Sequence, residues 1–183
     1  MTVRFLKPED LDAVYAIFCY YIEHSVANFS WTCPDYEEFC AKQLAMAKSY
    51  PYLVAEYEGE IIGFGYAHKF LARDAYQYDA ELTIYFAQGN HYGLTHVLYE
   101  KLEAILKEMG ICRLISCTTA TNQESLAYQA KHGFEEFGLL KNAGFKHDAF
   151  HDVAWLVKVI NPTTTPWRKT FAEVRKNFET NVD

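Results

Sequence analysis

Between Glu81 and Cys117 the chain carries a strand, a glycine-containing turn, an amphipathic helix and a second strand in direct succession. This single β-α-β unit constrains the fold more than any other feature. Glu81-Leu82-Thr83-Ile84-Tyr85-Phe86 reads as the first strand, Thr95 to Met109 as the helix, and Ile111 to Cys117 as the second strand. Val97, Leu98, Leu102, Ile105 and Leu106 recur at helical spacing, and Gly110 closes the helix. Strands joined by a crossover of that length lie parallel and turn right-handed.

The other connections are of a different kind. Tyr52–Tyr57 and Ile61–Phe70 flank Glu58-Gly59-Glu60, a hairpin turn in which Gly59 takes positive φ. Phe134 to Lys146 and Val153 to Val159 form a second antiparallel pair, and Thr2 to Leu6 alternates as an edge strand. Pro8-Glu9-Asp10 opens a helix that runs to Glu23, and Pro34-Asp35 opens another that runs to Lys48. Asn122 to Lys131 is a fourth helix, ended by His132-Gly133. The expected architecture is therefore α/β of the mixed α+β kind: a mostly antiparallel sheet of seven strands flanked by about four helices. At 183 residues one domain is expected over 1–160. Residues 161–183, which begin with Pro-Thr-Thr-Thr-Pro and contain Trp167 and Phe171, form an appended tail with a short helix.

Charge removes several classes of partner. With 17 basic and 24 acidic residues the net charge is −7, and no basic run offsets it, so nucleic acid is not an expected partner. Apolar stretches are too short to span a bilayer, and Met1 leads straight into a strand without a basic and apolar leader, so the expected setting is the cytoplasm, away from membranes. The five cysteines are odd in number and form no CxxC pair, from which neither disulfides nor a zinc site is expected. Aromatic residues make up 16% of the chain, enough to fill a core, line a pocket or cover an interface.

The loop Gln88-Gly89-Asn90-His91-Tyr92-Gly93-Leu94-Thr95 stands between the first strand of the β-α-β unit and its helix, where free first-turn amides bind anions. It is neither GxGxxG nor a P-loop, so a dinucleotide or nucleoside triphosphate is poorly supported. One helix and one strand later, Asn122-Gln123-Glu124-Ser125 opens a helix that ends at Gly133-Phe134. That succession resembles the GNAT superfamily of acetyl-CoA-dependent N-acetyltransferases. The chain is most similar to its phosphinothricin acetyltransferase group, through Tyr21-Ile22-Glu23, Asn28-Phe29, PYLVAEYEGE at 51–60, Arg73 with Ala75-Tyr76, ELTIY at 81–85 and AGFKHDAFHDV at 143–153.

The resemblance implies a GNAT fold in which the fourth and fifth strands splay and admit acetyl-CoA. It assigns the pantetheine arm to the backbone of Ile84, Tyr85 and Phe86, and the diphosphate to amides of Tyr92, Gly93, Leu94 and Thr95, with His91 nearby. Asn122, Ser125 and Gln129 approach from the other side. Two departures from the family pattern are visible. Asn90 and Thr95 replace the usual Arg or Gln and Gly or Ala of the loop, and Gln129 occupies a position that commonly holds Tyr or His. Thr95's hydroxyl is a potential hydrogen-bond donor there, whereas Gln129 cannot serve as an acid.

Glu81 resembles the family's carboxylate on the fourth strand. Alternation places it with Thr83 and Tyr85 on one face, and partial burial would raise its pKa into the range of a useful base. A backbone amide of Tyr85 or Phe86 would stabilise an oxyanion. Glu23, Phe29, Arg73, Tyr76, His147 and His151 are the candidate acceptor-pocket residues, the two histidines being expected on one strand face. No third ligand joins them to make a metal site. The activity implied is transfer of an acetyl group to the primary amine of a small, amino-acid-like acceptor in a ternary complex, by a homodimer. The alternatives are an acyl-CoA-binding sensor with weakened catalysis, motivated by the loop and Gln129, and acetylation of a protein N-terminus or lysine.

Overall fold

In the computed structural model, which describes residues 1–179, seven strands form one sheet: β1 (Thr2–Phe5), β2 (Tyr52–Tyr57), β3 (Glu60–Lys69), β4 (Asp79–Phe86), β5 (Arg113–Thr119), β6 (Glu135–Lys146) and β7 (Ala149–Val159). The helices are α1 (Leu11–His24), α2 (Tyr36–Ser49), α3 (Leu94–Glu108), α4 (Gln123–Lys131) and α5 (Phe171–Arg175). Strand order is β1-β2-β3-β4-β5-β7-β6. Every neighbouring pair is antiparallel except β4 and β5, the two ends of the β-α-β unit. The mixed sheet expected from the sequence is thus present, with a fifth helix supplied by the tail.

Local chemistry explains most boundaries. Asp35 accepts hydrogen bonds from the amides of Glu37 and Glu38 at 2.9 and 3.1 Å and starts α2. Pro8–Asp10 is a 3-10 turn that leads into α1, so the Pro signal marks the approach to the helix. The β2–β3 turn is Glu58-Gly59, with φ of 51° and 88°, the pair of positive values that a two-residue hairpin of matching twist requires. The β6–β7 turn does the same with His147 and Asp148, at φ of 50° and 59°. His147 is therefore a turn residue and does not share a strand face with His151, contrary to the alternation inferred from sequence.

The sheet separates two apolar layers. On one side Leu94, Leu98, Tyr99, Leu102, Ile105 and Leu106 of α3 bury against the sheet and α5. Val97, expected in that stripe, is exposed, because the buried positions run 94, 98, 102, 105 and 106. α3 can approach because β3 has Gly65 beneath it: a Cβ there would lie 2.6 Å from Leu98. On the other side α1 and α2 bury Leu11, Val14, Ile17 and Phe39 against Val54 and Phe64. The tail contributes Phe171 and Val174 to the α3 layer.

Cys19 and Cys33 are bonded to one another, with Cα atoms 5.4 Å apart. This corrects the expectation of no disulfide: the stretch after α1 folds back along it and closes 14 residues of sequence separation. Cys40, Cys112 and Cys117 are free thiols.

α3 is also held by charge. Glu103 receives Lys158 of β7 at 2.6 Å and Lys107 at 2.7 Å, together with the Tyr99 hydroxyl. Burial would raise the Glu103 pKa, but these donors outweigh it and hold the carboxyl down to about 2. A folded value below the unfolded one gives stability that is present above about pH 4.5 and lost as pH falls toward 2, with a magnitude on the order of 2–3 kcal/mol. Urea unfolding of Glu103→Gln should accordingly show lower stability than the unaltered chain at pH 7, with the gap closing progressively between pH 5 and pH 2.

Candidate active site

β4 and β5 pair only through Asp79↔Arg113, Ala80↔Leu114 and Glu81↔Ile115. Beyond Glu81 they part, while β4 stays paired to β3 and β5 to β7. The parting opens a cleft of about 640 Å³ between the second half of β4 and the elements β5 and α4. Ala87 donates its amide to Ile62 on the β3 side at 2.8 Å. Alternation then pairs the backbone of Tyr85 with β3 and turns the peptide groups of Ile84 and Phe86 toward the opening. Of the two amides expected to face a developing oxyanion, only Phe86's is so directed, and Tyr85's is committed to the sheet. The Phe86 carbonyl accepts from the Tyr21 hydroxyl at 2.8 Å.

The loop at the end of the cleft is more self-contained than its sequence implies. Tyr92's amide donates to the Asn90 side chain and Leu94's to the His91 carbonyl, both at 2.8 Å. Two of the four amides expected at a diphosphate are therefore used within the loop, and among the described residues those of Gly93 and Thr95 have no protein acceptor. Tyr92 and Gly93 both take left-handed φ, at 51° and 77°. The Tyr92 ring stacks on Tyr57 with centroids 3.8 Å apart, and Leu94 is buried, so neither side chain enters the cleft. His91 donates from Nε2 to the Ala87 carbonyl at 2.9 Å, which leaves Nδ1 to accept the Thr95 hydroxyl at 3.3 Å. That hydroxyl, expected to donate to phosphate, is thus turned to His91.

α4 forms the opposite wall. Asn122 accepts the Ser125 amide at 3.1 Å as helix cap, which leaves its side-chain NH₂ for the cleft. Gln129 is buried and donates to Thr118 at 2.8 Å and Ser125 at 3.0 Å, while its carbonyl oxygen has no partner. An unpaired buried acceptor is costly, and a bound ligand with amide donors would relieve it. Tyr99, Tyr128 and His132, which were not among the expected site residues, complete this half as a cluster of rings. Burial pushes the Tyr128 phenol up to about 12, and its hydroxyl donates to the Thr95 carbonyl at 3.2 Å. Free loop amides, an unpaired strand edge and an orphaned acceptor together fit a long ligand that carries a diphosphate and amides.

Glu81 sits where the pairing ends, opposite His68 on β3 and half-buried. Burial raises its pKa, and the neighbouring His68 only partly reverses this. Tyr85, on the same face, packs between Phe18, Tyr21 and Phe64, and burial lifts its phenol far above the ordinary range, so the hydroxyl stays protonated. Cys117 lines the cleft across from β4, its thiol pushed up to about 11 by burial and by Glu81.

The remaining candidates sit on separate elements. Phe29 packs on Gly144 and near His151, whose ring nitrogen Nε2 meets the Lys146 carbonyl at 2.9 Å. Glu23 is exposed beside His24, Arg73 is exposed at the start of a 3-10 turn, and Tyr76 in that turn packs on Phe70. None of these lines the cleft.

Residues 3–155 match the family model described as an acetyltransferase (GNAT) domain. The chain belongs to the GNAT acetyltransferase family. As a GNAT acetyltransferase it belongs with enzymes that transfer an acetyl group. Among its relatives, a phosphinothricin N-acetyltransferase of Streptomyces viridochromogenes is 32% identical over 154 residues, 84% of each chain. The crystal structure of a phosphinothricin acetyltransferase from Sinorhizobium meliloti in complex with acetyl-CoA has a TM-score of 0.86 at 28% identity, over 92% of this chain and 94% of that one. A ribosomal-protein-alanine N-acetyltransferase from Brucella melitensis gives 0.82 at 28% identity, over 87% and 99%.

Gly93 takes left-handed backbone at the start of α3, and no neighbour lies within 4 Å of a Cβ there. Gly93→Ala carries a backbone cost of about 1–2 kcal/mol. Calorimetric titration should show acetyl-CoA binding weakened by about fivefold or more, and an unaltered affinity would remove the loop from the binding site.

Proposed function

We propose that this GNAT acetyltransferase acetylates the primary amine of a small, amino-acid-like acceptor by direct attack in a ternary complex. The observation that carries the reading is the position of Glu81, a half-buried carboxylate with raised pKa at the point where β4 and β5 part. Acetyl-CoA supplies the acyl group as a thioester. Glu81 takes a proton from the acceptor ammonium, directly or through one water, so that the amine becomes a nucleophile. The Phe86 amide, turned into the opening, is the donor available to the acyl oxygen as the C–N bond forms; the intermediate then breaks its C–S bond, and the CoA sulfur leaves as a thiol with the second proton of the attacking nitrogen. Ile84, Phe86, Gly93, Thr95 and Asn122 hold the coenzyme, with Ser125 and Gln129 behind them. The acceptor lies toward Glu81, Thr83, Tyr85 and Cys117, with Phe29, Glu23, Arg73, Tyr76 and the hairpin of His147 and His151 at the entrance.

A small acceptor accords with the net charge of −7 and with the phosphinothricin N-acetyltransferases among the relatives. The test is thiol release from acetyl-CoA over a panel of amino acids, their sulfoximine and sulfone analogues, polyamines and an alanine-initiated peptide. Release with small amino acids supports the reading, and release with the peptide alone replaces it with a protein acceptor. Coenzyme binding without release for any amine leaves the acyl-CoA sensor.

A base that must be ionised gives a rate that rises with pH. The acidic limb of kcat/KM should therefore fall above the ordinary carboxylate range, in keeping with the direction of the Glu81 shift. Glu81→Gln should remove that limb and lower kcat by about 10²–10⁴-fold, with acetyl-CoA affinity within about twofold.

We also propose a homodimer. β6 is one of the two edges of the sheet, and it and β7 expose Phe137, Leu139, Leu140, Phe145 and Phe150, an apolar surface that a second copy would cover. Light scattering should give the mass of two chains, and Leu140→Glu should return it to one.

A further inference from the structure

Residues 25–28 follow α1 without forming helix or strand, yet each of their carbonyls is held by a side chain from the sheet. Ser25 and Asn28 accept from the Lys146 ammonium of β6 at 3.0 and 2.7 Å. Val26 accepts from the Thr119 hydroxyl of β5 at 2.6 Å, and Ala27 from the Tyr85 hydroxyl of β4 at 3.4 Å. The third N–H of Lys146 goes to the Ile22 carbonyl at 2.5 Å, in the last turn of α1. Three strands thus fix four consecutive peptide groups that have no ladder of their own.

Lys146 is the unusual member. It is 5% exposed, and its three donors all go to carbonyls. Removing an ammonium from water costs several kcal/mol before its hydrogen bonds offset the loss, and an apolar residue would fill the same volume without that cost. What an apolar residue would not do is hold Ile22, Ser25 and Asn28 together. The held segment matters because Ala27 lines the cleft beside Tyr21 and Tyr85, on the face that carries Glu81.

We propose that Lys146 is a positioning residue: it fixes residues 25–28 as the wall of the acceptor half of the cleft and sets affinity for the acceptor but not for acetyl-CoA. The acceptor part of this inference rests on the acetyl-transfer reading above. The coenzyme half of the cleft, between the Asn90–Thr95 loop and α4, has no bond to Lys146.

The experiment compares Lys146→Met with the unaltered chain by steady-state kinetics, acetyl-CoA calorimetry and amide hydrogen exchange. Acceptor KM should rise at least tenfold, with kcat within about threefold and acetyl-CoA Kd within about twofold. Exchange should accelerate at least tenfold at 25–29 and remain unchanged in β4 and β5. An unchanged KM, or an acetyl-CoA Kd that rises in step with KM, overturns the proposal. Lys146→Gln retains two donors and should fall between the two; it also carries the comparison if Lys146→Met fails to fold. Failure of the acetyl-transfer reading shows differently, as an unaltered chain that releases no thiol with any amine. In that case exchange at 25–29 decides the matter, since exchange equal in the two chains overturns the strap whatever the acceptor.

Discussion

The parting of β4 from β5 after three paired residues is the constraint on which the rest of this molecule depends. A strand that loses its partner in the middle of a sheet leaves peptide groups unpaired where water is scarce, a condition that stable proteins avoid unless a ligand or side chain completes the ladder. Here the Tyr21 hydroxyl completes one such group, at Phe86, and the rest of the edge is open. The same divergence separates one part of the cleft, bounded by α4 and the α3 loop, from another bounded by Tyr21 of α1 and the segment that trails it. Glu81 is the last residue of β4 that pairs with β5.

Much of the divergence depends on β3. Gly63 and Gly65 leave no side chains on the positions where the Phe86 ring and Leu98 sit: a Cβ at Gly63 would lie 2.4 Å from that ring. β4 can therefore carry Phe86 inward while α3 closes over the sheet. The aromatic residues divide along the same line. Tyr21 and Tyr85 line the part beside α1, with Phe18 packed behind Tyr85, and Tyr99, Tyr128 and His132 line the part beside α4.

The order of strands and helices was legible because hydrophobic period and turn residues are local properties: Asp35, Gly59, Gly110 and Asn122 each act within a few residues of themselves. The place of the cleft was legible through the same β-α-β unit and its resemblance to a family. What a linear reading misses is contact between distant segments. The Cys19–Cys33 bond depends on a loop folding back along α1. The positive φ of His147 and Asp148 replaces an extended strand by a turn without a glycine to announce it. Nothing in the sequence shows that Tyr92 and Leu94 spend their amides inside the loop, or that Lys146 reaches three carbonyls more than a hundred residues away.

The tail has a consequence for where the domain ends. The match to the family model stops at residue 155, but Phe171 and Val174 are buried in the layer beneath α3, and the Trp167 carbonyl lies where a Cβ on Gly110 would come within 2.2 Å. Arg168 and Lys169 bond to the Met109 carbonyl and its surroundings, and so cap the end of α3 that the family boundary leaves bare. The segment that the family model matches is therefore shorter than the length of chain that packs against α3. A relative lacking these last twenty or so residues would need another way to cover the same end of its helix.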